Sequence, residues 1–219
     1  MRILIATKNS GKAREIKEFL GKDFELITLA DIPDAPDVEE TGKTFEENAI
    51  LKAKKYFEWC SDKVPLTGTQ RSRDAKRESL SGIPTVADDA GLEIDYLNGE
   101  PGVLSRRWPG HEGTDQELID LALGELKGVP RGKRTAHLTA VAAYYDGKNT
   151  LIEKGSIDGY IVEKQTAECE PGYPFRAIFM VPKFGKLYQD LTHEEHEQIN
   201  HRKIVYGKLA EDIISLMDK

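Results

Sequence analysis

Two cysteines in 219 residues, Cys60 and Cys169, are too few and too widely spaced for a disulfide framework or a cysteine-based metal site. Thiols in that number suit a reducing compartment, and a cytoplasmic location is the expectation. Long apolar runs are missing as well. No stretch reaches the roughly 20 residues that a membrane-spanning helix needs, so no membrane partner is expected. Residues 1–6 hold only a short apolar run, which does not read as a secretory signal. There are no heptads, internal repeats or low-complexity tracts. Positive charge is in deficit: 31 Lys+Arg stand against 38 Asp+Glu, a net charge of −7. A dedicated duplex-DNA binder needs cationic surface to displace counterions, so nucleic acid is not an expected partner. A local basic pocket for a phosphate stays open.

Apolar residues make up 39% of the chain, enough to bury a core, and the length fits one domain or one domain with a sub-lobe. Residues 2–6 (RILIA) read as a short buried strand, 12–20 as a helix with Ile16, Phe19 and Leu20 on one face, and 24–29 as a second strand. Three Thr-x-x-Glu pairs announce helix starts, because each side chain can satisfy the other residue's orphan backbone donor. Thr44 and Glu47 open a helix to residue 59, and Thr114 and Glu117 open one ending near Gly128. Thr192 and Glu195 open a third, with Ile199, Leu209, Ile213 and Leu216 inward. Residues 85–97 mix strand and turn. Residues 135–145 and 150–162 read as strands joined through Asp146-Gly147, a hairpin signal. Interleaved strands and helices with one hairpin argue an α/β fold with an antiparallel component, and no linker divides the chain. Residues 61–81 are polar, basic in the middle and nearly free of large apolar side chains, and read as an exposed insert.

Four segments carry groups that can do chemistry. Thr7-Lys8-Asn9-Ser10-Gly11-Lys12 sets hydroxyl, amide and ammonium donors between a strand and a helix, where backbone N–H groups can face an anion. The functional reading is a polyphosphate cradle and the bland one a polar loop; the spaced glycines of a Walker A loop are missing. In the second segment Glu39 and Glu40 precede a helix on which Asn48 and Lys52 lie four apart on one face. A carboxylate there can hold a hard cation while Lys52 faces a phosphate. Glu46 and Glu47 read as helix-start residues, and Glu39 and Glu40 suit that role too by complementing the helix dipole. Third, Asp88-Asp89-Ala90-Gly91 follows an apolar strand, a place where Mg²⁺ can be held by one or two carboxylates plus phosphate oxygens and waters. A tight turn is the alternative. Fourth, Asn200-His201-Arg202 lies in the last helix, where such a run by itself is usually a solvated face. His193 and His196 show no metal-site spacing beyond a single pair.

Taken in order, ATKNSGKAREI, EETGKTFEENAILKA, ADDAGLEIDYLNGEPGVLSRRWPG and INHR resemble the inosine/xanthosine triphosphate pyrophosphatase family from Met1 to about Asp212, interrupted by residues 61–81. Each piece alone is weak, but four in register are specific. The resemblance implies a single domain of two lobes around a long bent mixed sheet flanked by helices, with the active site in the cleft, and a homodimer. It implies Mg²⁺-dependent hydrolysis of a nucleoside triphosphate, a non-standard purine such as ITP, dITP or XTP, to the monophosphate and pyrophosphate. Thr7, Lys8, Asn9, Ser10, Gly11 and Lys12 would bind substrate, with Asn9 and Lys12 on the phosphates. Lys52 would neutralise the triphosphate. Glu40 and Asp89 would hold Mg²⁺, and Asp89 would accept the proton of the attacking water. Ala90 falls where the family often has a substrate-contacting Ser. His201 and Arg202 would contact the base.

The match breaks at the base-binding loop. Where the family reads Gly-Phe-Gly-Tyr-Asp-Pro-x-Phe, this chain has Gly172-Tyr173-Pro174-Phe175-Arg176-Ala177-Ile178-Phe179. Tyr173 and Phe175 keep a stacking platform for a base, while Phe179 reads as core. Arg176 replaces an acceptor by a fork of donors, His196 stands for Lys, and Asn200 for Ser. The phosphate side is intact and the base side altered, so a shifted base preference is expected, and Arg176 suits O6/N7 acceptors of the guanine type. Two alternatives remain: a relative acting on other modified nucleotides, and a nucleotide-binding or regulatory protein that turns over weakly.

Overall fold

A computed structural model describes residues 1–21, 23–32, 35–61 and 80–218. The strands are β1 (Arg2–Ile5), β2 (Glu25–Thr28), β3 (Thr85–Ile94), β4 (Thr135–Tyr145), β5 (Thr150–Ile161), β6 (Phe179–Val181) and β7 (Lys186–Leu187). They form one seven-stranded sheet in the order β2-β1-β3-β4-β5-β6-β7. β1 runs parallel to both β2 and β3, and β6 is antiparallel to β5 and β7. The mixed α/β class expected from the sequence is therefore borne out. Five α-helices accompany the sheet among the described residues: α1 (Ser10–Phe19), α2 (Phe45–Ser61), α3 (Asp115–Glu125), α4 (His193–Glu197) and α5 (His201–Met217).

The chain divides into two compact units. Unit 1 comprises Met1–Asp89, Val141–Lys154 and Arg202–Lys219, and unit 2 comprises Ala90–Ala140 and Gly155–His201. Each has its own apolar core. In unit 1, Ile3 and Ile5 of β1 and Val86 of β3 pack with Ile16 and Leu20 at the α1 end and with Val205, Tyr206, Leu209 and Ile213 of α5. Ile3, Leu4 and Ile5 are all buried, as expected of an apolar strand in a parallel part of a sheet. In unit 2, Leu118, Ile119 and Ala122 of α3 pack with Leu92, Ile94, Ile157, Ile161, Phe175, Phe179 and Tyr188. Phe179 is a core residue, as its sequence context suggested.

Local chemistry explains most boundaries. Glu117 N–H donates to Thr114 Oγ1 at 3.2 Å and Thr114 N–H donates to Glu117 Oε2 at 2.7 Å, closing the capping box of α3. The same pair of bonds opens α4 at Thr192 and Glu195, at 3.2 and 2.8 Å. At α2 the box is shifted: Glu47 N–H donates to Thr44 Oγ1, but the Glu47 carboxylate accepts from Lys43 N–H. Asp146 Oδ1 accepts from the N–H groups of Lys148 and Asn149 at 2.8 and 2.6 Å, folding the turn between β4 and β5.

Two expectations need correction. The helix opened by Thr192 does not continue to the end of the chain. The all-polar α4 stops after Glu197, Asn200 N–H donates back to His196 O at 2.8 Å, and α5 starts afresh at His201. The apolar period explains the break: Ile199 packs on the core of unit 2, whereas Leu209, Ile213 and Leu216 belong to that of unit 1. Residues 85–97 are less mixed than expected, since β3 runs unbroken to Ile94 before a short 3-10 turn over Asp95–Leu97. Most of the insert, residues 62–79, lies outside the described residues. At its edge Leu80 is buried.

Candidate active site

β1 is a topological switch point within unit 1. The chain leaves it through α1 to β2 on one side and returns to β3 on the other. Open α/β sheets bind ligands outside the carboxyl ends of strands at such a point. Thr7 through Lys12 lie there, directly after β1, and Asp88 and Asp89 lie on the neighbouring β3.

The loop is built to start a helix. Asn9 has an extended backbone and its Oδ1 accepts from Lys12 N–H at 3.0 Å, making it the N-cap of α1. Such a cap contributes about 0.5–2 kcal/mol. Thr7 Oγ1 accepts from Asn9 N–H at 3.3 Å. Lys8 is exposed and pairs with Asp37 at 2.7 Å, while Ser10 is exposed and Gly11 half-buried. Lys12 turns inward, its Nζ 3.2 Å from Asp88 Oδ2.

Asp88 is 2% exposed; the sequence placed it in an acidic pair with Asp89 but gave the ligand and proton-acceptor roles to Asp89 alone. Burial pushes the Asp88 pKa up, but Lys12, then Arg202 and Lys52, outweigh that and hold the carboxyl below the ordinary range. Asp89, next in the strand, shifts the other way. Burial pushes it up, and the opposing pull of Lys52 and Lys12 is insufficient with Glu40 adding its own negative charge. Neighbouring carboxyls with divergent pKa values are the usual mark of an assignment of acid–base roles.

Lys52 Nζ lies 2.6 Å from Glu40 Oε1 and 3.6 Å from Asp89 Oδ1. Burial works against its ammonium, yet Asp89, Asp88 and Glu40 together hold its pKa above the ordinary lysine value. Asn48, one turn earlier on α2, is fully buried and joins three elements. Its Oδ1 accepts from Gly42 N–H at 2.7 Å and its Nδ2 donates to Asp89 Oδ2 at 2.9 Å. A Cβ on Gly42 would fall 2.6 Å from Asn48 Oδ1, so only glycine lets the loop carrying Glu40 come this close. Tyr56 Oη donates to Pro36 O at 2.8 Å and pins the same loop further back. Glu39, Glu46 and Glu47 are exposed.

No group of three His, Cys, Asp or Glu side chains gathers as a metal set among the described residues. Mg²⁺ does not require one, because it takes one or two carboxylates and completes its shell with waters and phosphate oxygens. Glu40 and Asp89 converge on one cation, the Lys52 ammonium, and Asp88 Oδ1 is a buried oxygen with no hydrogen-bond donor among the described residues. That hard-oxygen donor set fits a divalent ion.

Unit 2 holds the remaining predicted residues except Arg202. Ala90 is half-buried, and Tyr173, Pro174, Phe175 and Arg176 are buried in a 3-10 turn over Pro174–Ala177. The Arg176 guanidinium lies 3.6 Å from the Tyr173 ring centroid and 5.1 Å from that of Tyr188, and its Nη1 donates to Glu170 Oε2 at 3.0 Å. His196 stacks against Tyr188 at 4.5 Å, and His201 meets the same ring edge-on at 6.5 Å. Asn200 is buried. Arg202 belongs to unit 1, with its Nη1 3.1 Å from Glu15 Oε2 and its Nε 3.8 Å from Asp88 Oδ2.

The fold and this constellation define a class: α/β proteins that bring a helix N-terminus, two inward lysines and paired carboxylates to the carboxyl end of parallel strands. Within that class the sequence matches the Ham1 family over residues 3–212, and the chain belongs to that family. It is 41% identical over 211 residues to a dITP/XTP pyrophosphatase of Geobacillus kaustophilus, covering 95% of this chain and 92% of that one. It is 36% identical over 209 residues to the Bacillus subtilis protein of the same name, covering 94% of each. Among solved structures it resembles the Staphylococcus aureus Ham1 protein, with a TM-score of 0.77 at 31% identity over 98% of this chain and 99% of that one. The nucleoside-triphosphatase / dITP/XTP pyrophosphatase of Mycobacterium abscessus gives a TM-score of 0.69 at 31% identity, over 95% and 98%.

Asn48→Leu removes the amide that serves Gly42 and Asp89, and leaves the buried Asp89 Oδ2 without that donor and the half-buried Gly42 N–H without its acceptor. The expected cost is about 1–3 kcal/mol, read as a lower urea midpoint at unchanged slope. An unchanged midpoint contradicts the bridging role.

Proposed function

We propose that this chain hydrolyses a non-standard purine nucleoside triphosphate, of the ITP, dITP or XTP kind, to the nucleoside monophosphate and pyrophosphate. The observation that carries the reading is the pairing of two inward lysines with three carboxylates beside a helix N-terminus. Lys12 and Lys52 are neutralised by Asp88, Glu40 and Asp89 in the resting site. A triphosphate brings several negative charges to the same place, and phosphoryl transfer gains most from positioning and charge stabilisation. The dITP/XTP pyrophosphatase names of relatives sharing 36–41% of this sequence support the same substrate class.

Thr7, Asn9, Ser10, Gly11 and Lys12 hold the phosphates in this reading, with Lys52 neutralising charge that develops on the leaving pyrophosphate. Glu40 and Asp89 would hold Mg²⁺, which would supply Lewis-acid polarisation of the phosphate oxygens and of the attacking water. Water attacks the α-phosphorus, the bond to the α–β bridging oxygen breaks, pyrophosphate leaves, and the water's proton passes to Asp89. The Lys52 ammonium 3.6 Å from Asp89 Oδ1 and the Asn48 amide on its Oδ2 fix the orientation of that carboxylate. Tyr173, Pro174, Phe175, Arg176, His196, Asn200, His201 and Arg202 serve the nucleoside end. Among the described residues no helix is long and apolar enough to cross a membrane. A homodimer in the cytoplasm and a single two-lobed domain complete the reading on the strength of the family resemblance.

A pyrophosphate-release assay over standard, deaminated and modified triphosphates with Mg²⁺ tests it. Turnover of at least one deaminated purine is expected, and Asp89→Asn should lower kcat about 100-fold or more. Near-normal turnover in folded Asp89→Asn contradicts the assignment.

Base preference is a separate proposal, because Arg176 and His196 depart from the family while the phosphate side keeps to it. Arg176→Asp would set a second carboxylate against Glu170, so the informative variant combines Arg176→Asp, Glu170→Gln and His196→Lys. The ratio of kcat/KM between inosine or xanthosine triphosphate and its best competitor should rise about tenfold, the size of one charged hydrogen bond. An unchanged ranking places these side chains outside base recognition.

A further inference from the structure

Arg202 stands in the first turn of α5, and its guanidinium is held from two sides. Nη1 lies 3.1 Å from Glu15 Oε2 and Nε lies 3.8 Å from Asp88 Oδ2. Glu15 is on α1, three residues beyond Lys12, so the two side chains leave neighbouring positions of one helix face. Lys12 Nζ approaches the same Asp88 oxygen at 3.2 Å. Four charges therefore alternate through unit 1: Lys12, Asp88, Arg202, Glu15. The Arg202 and Glu15 side chains are only 8% and 13% exposed, so their pairing is not a surface contact weakened by water. Asp88 alone would face two cations, and Glu15 supplies the second anion that lets Lys12 and Arg202 share it. An arginine tied by a hydrogen bond to Glu15 and drawn toward Asp88 has lost rotamer freedom before any ligand arrives, which lowers the cost of binding.

We propose that Glu15 is a positioning residue of the nucleotide site. It holds the Arg202 guanidinium beside the Asp88–Lys12 pair, so that Arg202 meets the substrate already oriented. Glu15 acts through Arg202 and does not touch the substrate itself. The inference rests on the reading of this site as one for a nucleoside triphosphate.

A double-mutant cycle on the full chain tests it, with Glu15→Gln, Arg202→Lys and their combination. Glu15→Gln keeps the shape and removes the charge. In the wild-type background it should raise KM for the best triphosphate about tenfold with kcat within about twofold, beside the lower melting temperature that an uncompensated buried guanidinium brings. In the Arg202→Lys background the same change should alter KM less than about twofold. Equal effects on KM in both backgrounds overturn the proposal. So does a fall in kcat and melting temperature with KM unchanged, the pattern of a helix-supporting residue. Wild-type turnover with an additive cycle defeats this inference alone. If wild type turns over no triphosphate, the functional reading has failed, and the cycle is read on the Kd for inosine triphosphate by calorimetry under the same criteria. A wild type that does not bind it overturns both.

Discussion

A carboxylate removed from water stays ionised only where cations are held against it, and Asp88 imposes that condition on the whole of unit 1. Its side chain is almost completely covered, and desolvating an unpaired anion costs several kcal/mol. Lys12 from α1, Arg202 from α5 and Lys52 from α2 supply the compensating field. Three helices and the β3 strand are thus tied by charge as well as by their apolar faces. Breaking one partner of such a set leaves the others buried and uncompensated, which is why the network is specific in its geometry.

The same field separates two adjacent aspartates into different roles. Asp88 is held as an anion that fixes cations. Asp89, desolvated by burial and repelled by Glu40, is held nearer to protonation, although Lys52, Lys12 and the Asn48 amide pull the other way. The parallel strands β1 and β3 make this possible by bringing a loop–helix start and a carboxylate pair to the same end of the sheet. Gly42 lets the loop bearing Glu40 approach Asn48, so the Lys52 ammonium finds carboxylates on two sides.

Much of this was legible in the sequence because it rests on local chemistry. The capping pairs at Thr114 and Thr192 mark true helix starts, and the apolar runs at β1 and the β4–β5 hairpin are where their patterns put them. The Asn48–Lys52 spacing announced a shared face. The break at residues 198–200 was hidden because Ile199 continues an apolar period while packing on a different core from Leu209. Glu15 escaped notice, and the partners of Asp88 did too, for a related reason: a carboxylate's partner is set by tertiary approach, and Glu15 and Arg202 are 187 residues apart in sequence. At the base loop the sequence showed that Arg176 had replaced an acceptor, but not that Glu170 and two tyrosine rings already engage its guanidinium.

The account stands on the opposite displacement of two neighbouring carboxyl groups in one unit. Carbon-13 NMR of labelled aspartate side chains, titrated without divalent ions and assigned with Asp88→Asn and Asp89→Asn, reads it directly. Asp88 should keep its charge below the pH at which an ordinary aspartate protonates, while Asp89 should take up its proton above that pH. Two carboxyls that titrate together at the ordinary value, or in the reverse order, would contradict the charge arrangement from which the site and its chemistry are derived.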